Sequence, residues 1–440
     1  MNKVSLYRFI IIFTIMALTN VFGLIANEDL IFGGLPLQDV PIIIFFVYCI
    51  LNFRKIVYRF NHLNSIIVTY VLLTTIVILS MPFREEESLI GAFQVGRFFY
   101  VLLLTFVIED EIYYSGSSSF IRNTIYLTGT YFATVSLLST LNPTFIAQIF
   151  KGLDTFTEVK LSATKSGIYS NGTVFVHLAF VIKTLELIYK KQRRRIIDYT
   201  LVFFFFIGMF FMGFRAVMFA LVFSLLLVSF FMLRRWVFTG VISQARIAGY
   251  IIGGLLLVFI ADFTSGNRIS NFAESVINDV SGKTALKKNT FEYRKQRALK
   301  YQIPTIMNNH PWIGMGFIYK TGKAADKYHM DSAGTYRVRA LYNVDFGYGT
   351  MWARFGIIGS AILLFVILRA FWSSIKNARE FASDEILQLS IVILGFLITN
   401  YTWAVLDMPQ GLIVLAFSIG LASEYYYEYN KEPERLLQLD

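Results

Sequence analysis

Long stretches of the sequence are apolar on every side, without the polar stripe that an amphipathic helix carries. Segments 202–211 and 216–233 show the pattern most clearly. A helix of a soluble domain would have polar residues at helical spacing, and the strands of a membrane barrel would alternate polar and apolar residues. Because a bilayer accepts only helices and closed barrels as spanning structures, the pattern predicts helices that cross a membrane.

The apolar runs predict about twelve spans, each near the roughly 20 residues that cross a bilayer, although several are shorter. They lie at 8–26, 39–53, 63–81, 95–108, 122–141, 173–189, 198–212, 216–233, 246–263, 351–369, 387–404 and 411–427. The predicted fold class is therefore all-α, a polytopic transmembrane helical bundle with a large, partly helical extracytoplasmic loop. The chain would divide into N-terminal transmembrane helices at 1–262, the loop at 263–349, C-terminal transmembrane helices at 350–430 and a cytoplasmic tail at 431–440.

The composition agrees with a membrane protein. Apolar residues make up 56% and charged residues 16% of the chain, and the mean hydropathy is +0.58. Soluble domains are about half apolar and about a quarter charged. The single cysteine, Cys49, lies in an apolar run and is expected to pack there, and the four histidines form no close pair. These features argue against a metal enzyme, so no metal site and no cofactor are predicted.

The distribution of the positive charges predicts the orientation. Basic segments at 54–59, 190–195, 234–246 and 369–379 would all face the cytoplasm if the N-terminus does, as the positive-inside rule requires. Both termini would then be cytoplasmic. Only the acidic run at 109–111 is unexpected on that side, and acidic residues carry little weight in the rule.

The predicted outer loop at 263–349 is nevertheless basic, and a basic surface above a membrane attracts lipid head groups, acidic glycans or lipid-linked phosphates. For most of its lysines an ordinary solvated surface is the simpler explanation. Arg294 and Arg297 lie three residues apart in a predicted helix at 291–307, which Pro304 would kink or end. Their guanidinium groups would share one face and suit a phosphate.

Other arginines lie close to apolar segments. Arg215 separates two of them, where a charge needs a cavity or a partner, or else reaches the head groups from a tight turn. Arg97 and Arg354, near the outer starts of their spans, repeat this pattern. Each is a candidate for binding an anion.

Segment 309–317, Asn-His-Pro-Trp-Ile-Gly-Met-Gly-Phe, turns at a proline, and its two glycines allow close backbone approach or a phosphate cradle. It resembles the signature loop of the O-antigen ligase and Wzy-type polysaccharide polymerase superfamily, an extracytoplasmic Pro–apolar–apolar–Gly–apolar–Gly turn. In that superfamily the loop precedes a span that begins like 354–359. A small-residue and arginine turn like 213–216 lies upstream.

The resemblance implies an integral membrane glycosyltransferase of the bacterial cytoplasmic membrane that needs neither metal nor nucleotide sugar. Its substrate would be a polyprenyl-pyrophosphate-linked glycan on the outer face. Membrane lipids, a flippase and a chain-length regulator would be its other partners, with no role for nucleic acid. Superfamily members carry functional arginines in their outer loops. The expected substrate-binding residues are Arg215, Arg294 and Arg297, followed by Arg337, Arg339, Arg354, Gly314 and Gly316.

One departure from the superfamily pattern separates its branches. Ligases typically have a His-Asn pair before the late span, and here Asp345 occupies roughly the place of that histidine, as in polymerases. The expected function is therefore polymerisation of lipid-linked repeat units. Asp345 is the first candidate for the base that deprotonates the acceptor hydroxyl, and His310 is the second. A helix N-cap is the alternative role for Asp345.

Two other functions stay open at this point. An O-antigen ligase would transfer finished polymer to a lipid A core. A transporter or flippase for lipid-linked glycans would also have about twelve spans, with its site near mid-membrane and often between inverted repeats. The sequence has no clear internal repeat, and its charge is concentrated in one late outer loop, which disfavours a transporter.

Overall fold

Apolar helices dominate the fold of the protein in a computed structural model. The structure describes residues 2–19, 31–32, 35–141, 154–160, 163–169, 174–189, 196–211, 220–227, 302–319, 323, 347–381, 384–400, 405–409 and 411–423. The predicted all-α class is confirmed. Two small antiparallel hairpins, which the sequence did not predict, join Ile31–Phe32 to Leu35–Pro36 and Asp154–Lys160 to Ala163–Tyr169.

The helices follow the apolar runs of the sequence. They are α1 (Lys3–Thr19), α2 (Val40–Leu51), α3 (Phe53–Tyr58), α4 (Asn64–Arg84), α5 (Leu89–Gly96), α6 (Leu104–Ser115), α7 (Ser119–Leu141), α8 (Val174–Tyr189), α9 (Ile196–Phe211), α10 (Ile303–Asn309), α11 (Gly347–Phe381), α12 (Asp384–Thr399) and α13 (Gly411–Ser423). Residues 220–227 are also helical. Short 3₁₀ turns cover Leu37–Asp39, Arg97–Leu103 and Val405–Asp407.

Three helices in the described part of the chain are long and apolar enough to cross a membrane. They are Asn64–Arg84, the continuous path Leu89–Ser115, and Gly347–Ala378. Shorter apolar helices lie at Leu37–Leu51, Ile196–Met209, Glu385–Thr399 and Gly411–Ser423. The count of about twelve spans stays a prediction. The spans predicted at 216–233 and 246–263 lie partly and wholly outside the described residues.

Helix α4 shows why the sequence lacks a polar stripe. It packs on α5 and α11, and its Ile67 and Tyr70 are fully buried. Its Ile76 and Phe83 are instead 61% and 90% exposed. A helix that is apolar toward both its neighbours and its surroundings suits a lipid environment.

The acidic run at 109–111, unexpected on the predicted inner side, is paired with basic residues from that side. Arg59 Nη1 lies 2.7 Å from Asp110 Oδ1, and Arg8 Nε lies 2.9 Å from Glu111 Oε1. Both carboxylates are buried. Because their charge is compensated locally by neighbouring cations, the run does not conflict with the predicted orientation.

A second charged network joins helices that end at segments predicted to be inside. Arg122 at the start of α7 contacts Glu186 of α8, with Nη1 3.2 Å from Oε1, and also contacts Glu385 of α12. Lys183 Nζ of α8 lies 2.8 Å from Asp198 Oδ1 at the start of α9. These ion pairs fix four helix ends to one another. The candidate site lies elsewhere, beyond the C-terminal end of α4.

Candidate functional site

The residues after α10 form a turn that lies across the end of α4. Helix α10 ends where the His310 amide donates to the Ile306 carbonyl at 3.0 Å. The part of the helix predicted at 291–307 that precedes residue 302 lies outside the described residues, and Pro304 lies in the first turn of α10. A proline fits there since the first amide groups of a helix have no partner within it. We call residues 310–319 the glycine turn.

The glycine turn is locked to a break in α11. Gly356 has φ 69° and ψ −179°, which interrupts the helix. The Ile357 and Ile358 amides then donate to the carbonyls of Pro311 and Trp312, at 3.0 and 3.2 Å. The two segments that carry the family resemblance, 309–317 and 354–359, therefore pack on each other through backbone hydrogen bonds.

Three glycines make this packing possible. Gly314, Gly316 and Gly356 have φ of 75°, 80° and 69°, a region that favours glycine. A Cβ on Gly314 would lie 2.8 Å from the Arg354 carbonyl and closer still to the Gly356 amide nitrogen. A Cβ on Gly316 would meet the Met81 sulfur on α4. Gly314 and Gly356 are therefore explained by close backbone packing, and Gly316 by its close contact with α4.

The amides of Gly314 and Gly316 in the glycine turn already have partners within the protein. The Gly314 amide donates to the His310 carbonyl at 2.9 Å, and the Gly316 amide donates to the Ala353 carbonyl at 3.2 Å. A phosphate would have to compete with these carbonyls for the same N–H groups. Contact of Gly314 and Gly316 with substrate stays a prediction.

Polar residues just beyond α4 hold the glycine turn in place. A guanidinium nitrogen of Arg84 donates to the Gly314 carbonyl. Glu87 accepts a hydrogen bond from the Tyr319 amide at 3.3 Å. The turn is thus held at its middle and at its end by residues three positions apart in sequence.

Between these two contacts, Glu85 meets His310. The His310 Nε2 lies 2.7 Å from the Glu85 Oε1. The Glu85 side chain is 0% exposed, whereas that of His310 is 30% exposed. A buried carboxylate requires a partner, and an imidazole that gives its Nε2 to the carboxylate keeps Nδ1 for proton exchange. This geometry is that of a carboxylate–imidazole pair whose histidine is partly exposed.

Arg354 is held among aromatic rings beside the glycine turn. Its Cζ lies 5.5 Å from the ring centroid of Phe99 and 5.9 Å from that of Phe317. An arginine at this distance from ring faces is attracted by their electron density. Arg97 has a different environment, because its Nε forms an ion pair with Asp39 Oδ1 at 2.9 Å. Arg97 is thus already paired with a carboxylate within the protein.

The structure therefore brings together four of the residues that the sequence predicted for the site. These are His310, Gly314, Gly316 and Arg354. The remaining predicted residues lie outside the described part of the chain: Arg215, Arg294, Arg297, Arg337, Arg339 and Asp345.

Sequence reasoning missed Arg84, Glu85 and Glu87. Segment 82–94 was expected only to connect two spans. The available indication was the sequence Arg-Glu-Glu-Glu directly after an apolar helix, which is an unusual charge density for a short connection. Within the described residues, no group of His, Cys, Asp and Glu could hold a metal ion.

One comparison with known proteins covers this part of the chain. Residues 200–364 match the family model described as O-Antigen ligase. No curated protein shows a significant match to the chain. The matched segment includes both the glycine turn and the break in α11. This match confirms, over residues 200–364, the resemblance to the O-antigen ligase and polymerase superfamily that the sequence predicts.

Proposed function

We propose that the protein is a membrane glycosyltransferase that polymerises polyprenyl-pyrophosphate-linked oligosaccharide repeat units. It would act at the outer face of the bacterial cytoplasmic membrane and build an O-antigen, a capsule or an exopolysaccharide. The superfamily match and the apolar helices support a membrane enzyme of this kind. The observation that carries the proposal is the Glu85–His310 pair, which lies next to Arg84 and Arg354 at one end of the helices.

The reaction needs a base and a stabilised leaving group. The acceptor hydroxyl oxygen attacks the anomeric carbon of the donor sugar, and the bond from that carbon to the pyrophosphate oxygen breaks. The electron pair leaves with the pyrophosphate, and the hydroxyl proton passes to the base. Nδ1 of His310 suits this role, because Glu85 beside Nε2 would stabilise the imidazolium that forms.

Asp345 is the other candidate base. The sequence places it before α11, but it lies outside the described residues. We favour His310 because a carboxylate partner is described for it. Substituting each residue separately distinguishes the two, since only loss of the true base removes proton transfer.

Arginines would stabilise the charge that develops on the pyrophosphate. Preorganised cations lower such a barrier because they need no rearrangement as the charge appears. Arg354 is the described candidate, and Arg84 lies close by through its contact with the glycine turn. The further candidates, proposed from sequence, are Arg215, Arg294 and Arg297, and after them Arg337 and Arg339.

The proposed orientation has both termini in the cytoplasm and the glycine turn outside. Arg59 and Arg8, which pair with the acidic run at 109–111, support this orientation. Both are cations at the predicted inner end of the helices, as the positive-inside rule requires. Membrane lipids would surround the protein. A flippase that delivers the repeat units and a chain-length regulator are the proposed protein partners.

Polymer length in a producing strain tests the function. In a strain that lacks the native gene, we expect the wild-type protein to restore long chains and His310→Gln to leave single repeat units. His62→Asn is the matched control, because His62 lies at the opposite end of α4 beside Ser373. Long chains with His310→Gln at normal protein level would exclude His310 as the base.

The description of the matched family as O-Antigen ligase favours ligation as the second candidate. A ligase would move finished polymer to a lipid A core, so its loss would leave long polymer on the polyprenyl carrier. A gel of the glycans separates this from the single units expected for a polymerase. Reconstitution with a purified lipid-linked repeat unit excludes a transporter or flippase if longer glycans form without other enzymes.

A further inference from the structure

We infer that Glu85 is a positioning residue that holds the His310 imidazole in its working orientation. The inference rests on the proposed role of His310 as the base. Glu85 would not touch the substrate, because its side chain is fully buried while that of His310 is 30% exposed. It would act only through the 2.7 Å contact between its Oε1 and the His310 Nε2.

The place of Glu85 in the fold is not explained by helix stability. It is the C-cap residue of α4, and its amide donates to the Met81 carbonyl at 2.9 Å. The C-terminal end of a helix carries partial negative charge, which disfavours an anionic side chain. Burial adds a desolvation cost to the charged form. The imidazole of His310, 2.7 Å from the carboxylate, offsets both effects.

The same position explains how Glu85 can orient a ring. Its backbone is fixed by α4, a helix packed against α5 and α11. His310 lies at the start of the glycine turn, which Arg84 and Glu87 hold from the same short segment. The carboxylate and the ring are thus anchored to one rigid unit. Such anchoring limits the ring orientations that a lone histidine would sample.

The expected chemistry follows from the two ring nitrogens. A carboxylate next to Nε2 favours the tautomer with the proton on Nε2, so that Nδ1 keeps its lone pair. When Nδ1 accepts the proton of the acceptor hydroxyl, the resulting cation lies beside the Glu85 carboxylate. No other group is consumed, and the proton later leaves to water.

The adjacent glutamate supplies a matched control. Glu86 is 81% exposed, and its described ion pair is a contact of 3.9 Å with Lys323, itself 80% exposed. Glu86→Gln therefore removes the same charge from the next position without touching His310. If the negative charge at this end of α4 acted only through its long-range electrostatic field, Glu85→Gln and Glu86→Gln would have similar effects on activity.

The experiment measures kcat and KM for extension of a purified lipid-linked repeat unit by the full chain in lipid nanodiscs. We expect Glu85→Gln to lower kcat by roughly 10- to 100-fold with little change in KM, a smaller loss than the about 10²–10⁴-fold expected for removal of the base itself. Glu85→Asp should recover part of the loss, and Glu86→Gln should behave as wild type.

The double variant decides between positioning and a structural role. In the His310→Gln background, Glu85→Gln should cause no further loss, because Glu85 acts only through the ring. The same fold-loss with and without His310, or equal effects of Glu86→Gln, overturns the inference. If His310→Gln keeps wild-type activity, the proposed base is wrong and the inference falls with it. The chain-length pattern of the wild-type product tests polymerisation separately.

Discussion

Replacement of Gly314 by alanine tests the lock between the glycine turn and α11. At φ 75°, any L-residue other than glycine adopts a disfavoured left-handed conformation, which costs roughly 1–2 kcal/mol. The new Cβ would also lie 2.8 Å from the Arg354 carbonyl carbon and oxygen, whereas ordinary contacts lie at 3.4–4 Å. Backbone cannot rotate away as a side chain can. Displacing it adds about 1–3 kcal/mol, as overpacking does in a core.

Gly116 separates these two costs. It has φ 71° at the C-cap of α6, and a Cβ there meets nothing within 4 Å. Gly116→Ala therefore carries only the conformational cost of roughly 1–2 kcal/mol. Gly314→Ala should carry about 2–5 kcal/mol in total. The difference between the two variants measures the steric part of the lock.

Equilibrium unfolding in mixed detergent micelles measures the free energy of unfolding of the Gly314→Ala and Gly116→Ala variants. We also expect Gly314→Ala to lower polymerisation, because displacement of the turn moves the attached His310, while Gly116→Ala should retain activity. Equal destabilisation by the two variants would refute the close packing of Gly314 on α11. Destabilisation without loss of activity would refute the link from the turn to the proposed base.

Three further outcomes concern single residues. Arg84→Ala should lower the free energy of unfolding by about 1–3 kcal/mol, since it removes a donor from the Gly314 carbonyl; no change in detergent unfolding would contradict that contact. Burial and Arg369 lower the pKa of His62 below its usual 6.5, so the unfolded chain binds the proton more readily. The free energy of unfolding therefore loses nothing to His62 above pH 6.5 and decreases as the pH falls below that value. His62→Asn should make the melting temperature less dependent on pH between about pH 7.5 and about 5.5. If Asp345 is the base, Asp345→Asn should shorten the glycan as much as Asp345→Ala, whereas an N-cap role requires that asparagine works.

Hydropathy predicted the existence of the helices better than their ends. The spans predicted at 173–189 and 122–141 correspond closely to α8 (Val174–Tyr189) and α7 (Ser119–Leu141). By contrast, the span predicted at 351–369 is part of α11, which runs over Gly347–Phe381. Hydropathy reports the length of an apolar run, but a helix continues into polar residues as long as its backbone hydrogen bonds are favourable.

The candidate site was predicted only in part, and the missing part is tertiary. The Pro–Gly–Gly pattern at 309–317 was found because glycine and proline restrict the backbone locally. The contact of Arg84 with Gly314 joins residues 230 positions apart. No periodicity within one sequence pairs such residues. The break at Gly356 was hidden for the same reason, because it is stabilised by carbonyls of the glycine turn rather than by its neighbours in sequence.

The role of each residue in the site follows from the segment of the fold on which it lies. Residues 84–87 fix the glycine turn to the end of α4, so they control where His310 stands. They contribute one cation and two buried acidic groups, Glu85 and Glu87, and buried carboxylates repel a pyrophosphate. Most of the positive charge that binds the pyrophosphate must therefore come from other residues, and Arg354 and the basic segment at 263–349 are the available sources. Substitutions of Arg84, Glu85 or Glu87 should accordingly change kcat, whereas substitutions of Arg294 or Arg297 should raise KM for the lipid-linked glycan.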